Sequence, residues 1–178
     1  MTTYPQDIKE HPMNPTRRPL RAALAAALAG TALLALAGTA LAHAEPETAT
    51  PPKAGAKGTL TMVIGHGCED AAGTLYDTDR VVVELPKGFT VLSVPAHAGW
   101  FATTAAAGGG TRVQWTTKGA KLGKQTKGRF AVKVTYPTKK GTYGLPTIQY
   151  CGKRSTAWIQ KPVGGVEPDL PLPMLTVT

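Results

Sequence analysis

The chain has 178 residues, of which 42% are hydrophobic and 6% aromatic, with a net charge of +9, 20 glycines, 15 prolines and two cysteines. That length holds a leader and one domain able to bury a real core, and excludes a multidomain chain or a disulfide-stapled miniature. The positive charge is dispersed, with only a loose group at Lys118, Lys121, Lys124, Lys127 and Arg129, which reads as a solvated loop. Together with an export leader, this argues against a nucleic-acid partner.

Residues 1–19 are polar and carry no periodic pattern. Met13 opens a compact positive stretch with Arg17, Arg18 and Arg21, so the expected translation start is Met13. Leu20 to Ala42 is an Ala/Leu-rich run about long enough to span a bilayer, which takes ~20 apolar residues. Its small residues and its Ala40-Leu41-Ala42 ending match the A-x-A pattern of signal cleavage, so 1–42 is expected to be a signal segment and 43–178 the domain. The alternatives are an uncleaved anchor, or cuts after Ala40 or Ala44. Four basic and two acidic residues precede His43, so their removal takes the net charge from +9 to +7.

Beyond His43 the sequence reads as short strands. Glu45 to Lys57, with its prolines, is expected to be an extended, irregular lead-in. Thr59–Ile64 is the first strand, with Leu60, Met62 and Ile64 on one face. Gly65-His66-Gly67-Cys68 breaks it, and Glu69–Asp79 is looped. Arg80–Leu85 and Phe89–Val94 flank Pro86-Lys87-Gly88, where Pro pre-sets φ and Gly takes the positive-φ position. Gly99-Trp100-Phe101 opens a short strand and Ala105–Gly110 is a small-residue tip. Thr111–Thr117 points Val113 and Trp115 inward. Arg129–Tyr136 sets Phe130, Val132 and Val134 on one face. Thr142–Tyr150, Thr156–Ile159 and a last strand holding Leu175 and Val177 follow. No helical periodicity appears after residue 43, so the fold class is all-β, a sandwich or barrel.

Several residues carry possible chemistry. Cleavage after Ala42 would make His43 the first residue, whose α-amine and ring Nδ1 close a six-membered chelate on one metal ion. Nitrogen donors in a tetragonal arrangement suit Cu(II). Copper must displace protons from such donors, so binding weakens as pH falls. The plain alternative is a spare polar residue at a frayed end. His66 between two glycines is either a further ligand or a turn histidine. His97 reads as a surface residue. Trp115 is core, and Trp100 core or rim. Trp158 either walls a cation site or packs in the core. Glu45, Glu47, Glu69 and Asp70 are candidate oxygen ligands that would otherwise be solvated. Cys68 and Cys151, the two cysteines of an exported chain, are expected to pair, which would contribute ~4 kcal/mol by chain entropy. The other reading is a thiolate site for Cu(I), but no CxxC or methionine cluster accompanies either cysteine. No Ser-His-Asp arrangement with a nucleophile elbow, P-loop or H-E-x-x-H is present.

The ordered set Val63–Cys68 (with Gly-His-Gly-Cys), Leu85–Gly88, Gly99-Trp100, Val113–Trp115, Phe130–Pro137, Gly141–Cys151, Trp158 and Pro173–Leu175 resembles the YcnI-like family of exported copper-binding domains. The resemblance covers essentially all of residues 43–178. It implies an immunoglobulin- or cupredoxin-like β-sandwich. It also implies Cu(II) held by the amine and ring of the mature first histidine, here His43, with a tryptophan nearby, here Trp158, and an acidic ligand. One branch of the family places a Glu where Lys57-Gly58 stand in this chain, and the β-branched strand usual after the histidine is replaced by Ala44-Glu45-Pro46. Glu45, Glu47 or His66 are the substitutes this chain offers.

The resulting expectation is a non-enzymatic Cu(II)-binding protein in the periplasm or at the cell surface of a bacterium. It would store copper or pass it to exported copper chaperones or a membrane copper importer, touching the membrane only through its leader. The alternatives are a copper-dependent oxidative enzyme, for which His66 would supply a second histidine, and an extracytoplasmic interaction domain that binds no metal.

Overall fold

The computed structural model describes residues 43–178; the expectations for the leader and its cleavage concern residues outside that range. Thirteen strands form, in chain order β1 (Ala44–Thr48), β2 (Lys57–Ile64), β3 (Cys68–Glu69), β4 (Leu75–Tyr76), β5 (Arg80–Leu85), β6 (Thr90–Ser93), β7 (Trp100–Ala107), β8 (Gly110–Thr117), β9 (Gly128–Thr135), β10 (Gly141–Gly144), β11 (Thr147–Cys151), β12 (Arg154–Trp158) and β13 (Met174–Val177). One sheet has the order β1-β2-β9-β6 and the other β12-β11-β5-β8-β7, with two-stranded pairs β3-β4 and β10-β13 beside them. Among the described residues there is no helix long and apolar enough to cross a membrane.

Period-two patterning produces this sandwich. In β9, Phe130, Val132 and Val134 are buried while Arg129 and Lys133 face water. β2 buries Leu60, Met62 and Ile64 against them, and β5 and β8 contribute Val81, Val83, Leu85, Val113 and Trp115 from the other sheet. Each such side chain taken wholly from water contributes roughly 1.5–3 kcal/mol. Phe130 sits at the centre, its ring 5.1 Å from Trp100 and 5.6 Å from Trp115. The Pro86–Gly88 turn closes as its residues dictate, with Gly88 at φ 103° and the Phe89 amide donating to the Pro86 carbonyl over 3.3 Å. Cys68 and Cys151, 83 positions apart, form a disulfide that ties β3 to β11. Both are buried, which settles the choice between paired cysteines and a thiolate site.

Five local expectations need correction. The stretch Glu69–Asp79 is not all loop, because Leu75–Tyr76 folds back as β4 and pairs with β3, Glu69 opposite Leu75. The lead-in after His43 contains β1, which pairs with β2 from Ala44 opposite Ile64 to Thr48 opposite Leu60. Pro46 is tolerated because β1 is an edge strand, where a missing amide costs no ladder bond. The run Thr142–Tyr150 is two strands in different sheets: β10 joins β13, the chain turns at Leu145, which is buried, and Pro146, and β11 joins β5 and β12. β7 continues to Ala107, so the small-residue tip shrinks to Gly108-Gly109, both at positive φ. His97 is half-buried, its ring stacked on Phe130 at 5.1 Å and edge-on to Trp100 at 5.8 Å. The basic loop agrees with its reading: Lys118, Lys121, Lys124, Lys127 and Arg129 are all exposed, with Lys121 3.2 Å from Asp79.

Candidate metal centre

The segment Gly65–Cys68 leaves β2 and crosses toward β11, and its composition follows from what it must pass. A Cβ at Gly67 would lie 2.0 Å from the Tyr76 carbonyl oxygen, so only glycine fits there. The Gly67 amide donates to the Lys124 carbonyl over 2.7 Å. Gln149, fully buried on β11, donates from Nε2 to the His66 carbonyl over 2.8 Å and to the Thr78 hydroxyl. The backbone of His66 is thereby pinned from the opposite sheet.

The His66 ring is pinned as well. Its Nδ1 lies 2.6 Å from the Gly67 carbonyl. A carbonyl only accepts, so Nδ1 is the donor, the local backbone bond expected of a turn histidine, and Nε2 is the nitrogen left for any other partner. A metal ligand oriented by its other ring nitrogen is arranged in this way.

His66 and Trp158 line one cleft of about 560 Å³, with Glu69, Asp70, Thr156 and Asp169 among the other walls. Trp158 is 2% exposed, and its Nε1 has no hydrogen-bond partner among the described residues. Trp158 is packed in the hydrophobic core as Trp115 is, and the Trp115 indole N–H is in the same state. Asp70 is committed to its own turn: it accepts from the Ala72 and Thr74 amides and from the Tyr76 hydroxyl at 2.8 Å. The Tyr76 hydroxyl, followed by the Thr74 amide, holds the Asp70 carboxyl below its ordinary range, and Asp70 in turn pushes the Tyr76 phenol up. Asp169 had no signal in the sequence. It reaches the cleft because the segment after Pro168 returns to β12, where the Leu172 amide donates to the Gln160 carbonyl over 2.7 Å.

His43 stands one residue before Ala44, at the end of the β1–β2 ladder where Gly65 and His66 follow. It is half-buried, and its ring makes no hydrogen bond among the described residues. It does not line the cleft shared by His66 and Trp158. Glu45 and Glu47 alternate with buried Ala44 on β1. Glu47 is bonded to Arg129, and that guanidinium holds its carboxyl below the usual carboxylate range. At Lys57-Gly58, Lys57 is exposed, and a Cβ on Gly58 would lie 2.6 Å from the Tyr136 ring. No group of three or more His, Cys, Asp or Glu among the described residues is placed to hold a metal ion. In a chain that began at His43, its α-amine and ring Nδ1 would be two nitrogen donors of the kind Cu(II) takes.

These features can be set beside known proteins. The family described as a domain of unknown function, DUF1775, matches residues 43–177. The chain belongs to this family, which is that of the YcnI-like proteins. A crystal structure of an uncharacterized protein from Nocardia farcinica, described as having an immunoglobulin-like fold, is similar with a TM-score of 0.62 at 24% identity, covering 76% of this chain and 97% of that one. A cohesin module from a Clostridium perfringens family 33 glycoside hydrolase is similar with a TM-score of 0.51 at 12% identity, covering 76% and 93%. Both likenesses establish the fold, an immunoglobulin-like β-sandwich. No curated protein matches the chain. Family and fold fit an extracytoplasmic domain.

Proposed function

We propose that this protein binds Cu(II) outside the cytoplasm through the α-amine and ring of His43, created when a signal segment over residues 1–42 is removed. The copper is cargo, stored or handed on to exported copper chaperones or a membrane copper importer. The observation that carries this reading is a half-buried histidine at the head of β1, in a chain whose family match starts at that same residue. A chelate closed within one residue needs no cluster of side chains. His66 is the next imidazole along the chain, and it shares a cleft with Trp158. Glu45 remains the acid closest in sequence, whereas Glu47 would first have to leave Arg129.

The test is a titration of the chain 43–178 with Cu(II), followed by visible absorption and electron paramagnetic resonance. The expected result is one equivalent bound through nitrogen donors, with affinity that falls as pH is lowered, because protons compete for both donors. A chain of that length with no affinity for Cu(II) contradicts the reading.

A further inference from the structure

The sandwich has four sheet edges, and three are protected against pairing with another strand. β1 carries Glu45, Pro46 and Glu47. β6 is only four residues long, shifts register between Val91 and Ser93, and is followed by Pro95. β12 begins at Arg154, and the segment around Leu170 and Leu172 bonds to Gln160 just past its end. Charge, proline, bulges and covering segments are the usual defences of an edge.

β7 has none of them. It runs for eight residues, Trp100 to Ala107, without a charged side chain or a proline, and it pairs with β8 in unbroken register from Trp100 opposite Thr117 to Ala107 opposite Gly110. Residues 101 to 106 are exposed. Alternate residues of an antiparallel strand turn their N–H and C=O away from the neighbour. Half of the β7 backbone therefore faces outward, and among the described residues no strand pairs with it. Because β6 is half as long as β7, the inner side of this edge also stays open, as a groove of about 570 Å³ between Leu92, Val94, Ala102 and Thr104.

We infer that β7 pairs with β7 of a second copy of this chain, antiparallel about a two-fold axis near Thr103 and Thr104, joining two five-stranded sheets into one. The occupant follows from the edge itself. Small Ala and Thr side chains let two strands approach at sheet spacing, and an edge without charge sets no like charges opposite one another despite the basic balance of the domain. An antiparallel pair also brings the Lys118 end of one copy beside the uncharged Gly108-Gly109 tip of the other, whereas a parallel pair would stack the cationic ends. The exposed rings and chains at the rim, Phe101 and Leu92, are 44% and 47% accessible and lose water on pairing. One eight-residue edge falls at the low end of specific interfaces, around 1,200 Å² or less, so the dimer is reversible and dependent on concentration.

The experiment is sedimentation velocity of the chain 43–178 between about 1 µM and about 1 mM, paired with amide exchange read over residues 101–106. The expected result is a dimer fraction that grows with concentration while exchange at these amides slows. Thr104→Lys, on an exposed position, is expected to raise the dissociation constant by about tenfold or more without changing the thermal midpoint, and Thr90→Lys on the β6 edge to leave it unchanged. A monomer across the whole range overturns the inference. So does a dimer that Thr104→Lys does not weaken, or protection of these amides only by an added extended peptide.

Discussion

The chain beginning at His43 but acetylated on its α-amine is expected to bind Cu(II) about 100-fold more weakly, or worse, than the same chain with its amine exposed, since loss of a direct ligand exceeds the ~10–100-fold cost of outer-shell changes. Acetylation turns the amine into an amide whose lone pair is delocalised into the carbonyl. The ring of His43 remains, but it becomes a single donor, and the second nitrogen must come from elsewhere. No group of three suitable side chains among the described residues stands ready to replace it. His43→Ala removes the ring and is expected to weaken binding to a similar degree, whereas His97→Ala, whose ring packs on Phe130, is expected to leave copper affinity unchanged. Competition against a chelator of known affinity measures all three. Equal affinities for the acetylated and unmodified chains would remove the amine from the site.

Phe130→Ala is expected to cost about 3–5 kcal/mol of stability, the range for emptying a fully buried aromatic site. Phe130 is 0% exposed, and its ring packs against those of His97 and Trp100, from one loop and the start of β7, and of Trp115 on β8. Those three rings lie on a rigid sheet and on a loop tied to it, so they cannot close over the vacated volume. A domain of this size is stable by only ~5–15 kcal/mol, so the loss is a large share of the total. Denaturant unfolding followed by tryptophan fluorescence checks it, with Phe101→Ala as the exposed comparison, expected within about 0.5 kcal/mol of the parent. A loss below about 1 kcal/mol for Phe130→Ala would contradict the packing described here.

What could be read from the residues is what depends on neighbours along the chain. The alternation of Phe130, Val132 and Val134, the inward Val113 and Trp115 of β8 and the turn at Pro86–Gly88 each follow from two or three nearby side chains, and each is seen. The Cys68–Cys151 link was legible by counting. β1 was not, because two glutamates and a proline read as a breaker, while the pairing that makes it a strand comes from β2. The corner at Leu145-Pro146 was hidden for the opposite reason: apolar residues continue through it, and only the sheet they join changes. The cleft is a still longer-range product. His66, Trp158 and Asp169 meet across two sheets and a returning tail, and Asp169 had no local pattern to mark it. His97 stacks on a strand that follows it by some thirty positions, which a Pro-Ala-His-Ala-Gly loop does not announce. That a side chain at Gly58 would crowd the Tyr136 ring is likewise seen only in the fold, since Tyr136 stands 78 positions further on.

The most direct check on the account is the intact mass of the protein recovered after export. A mass corresponding to residues 43–178, with histidine first and its amine unmodified, is the predicted result. A mature chain that starts at Glu45, or one that keeps residues before His43, would contradict it, because neither holds an amine and an imidazole on the same leading residue.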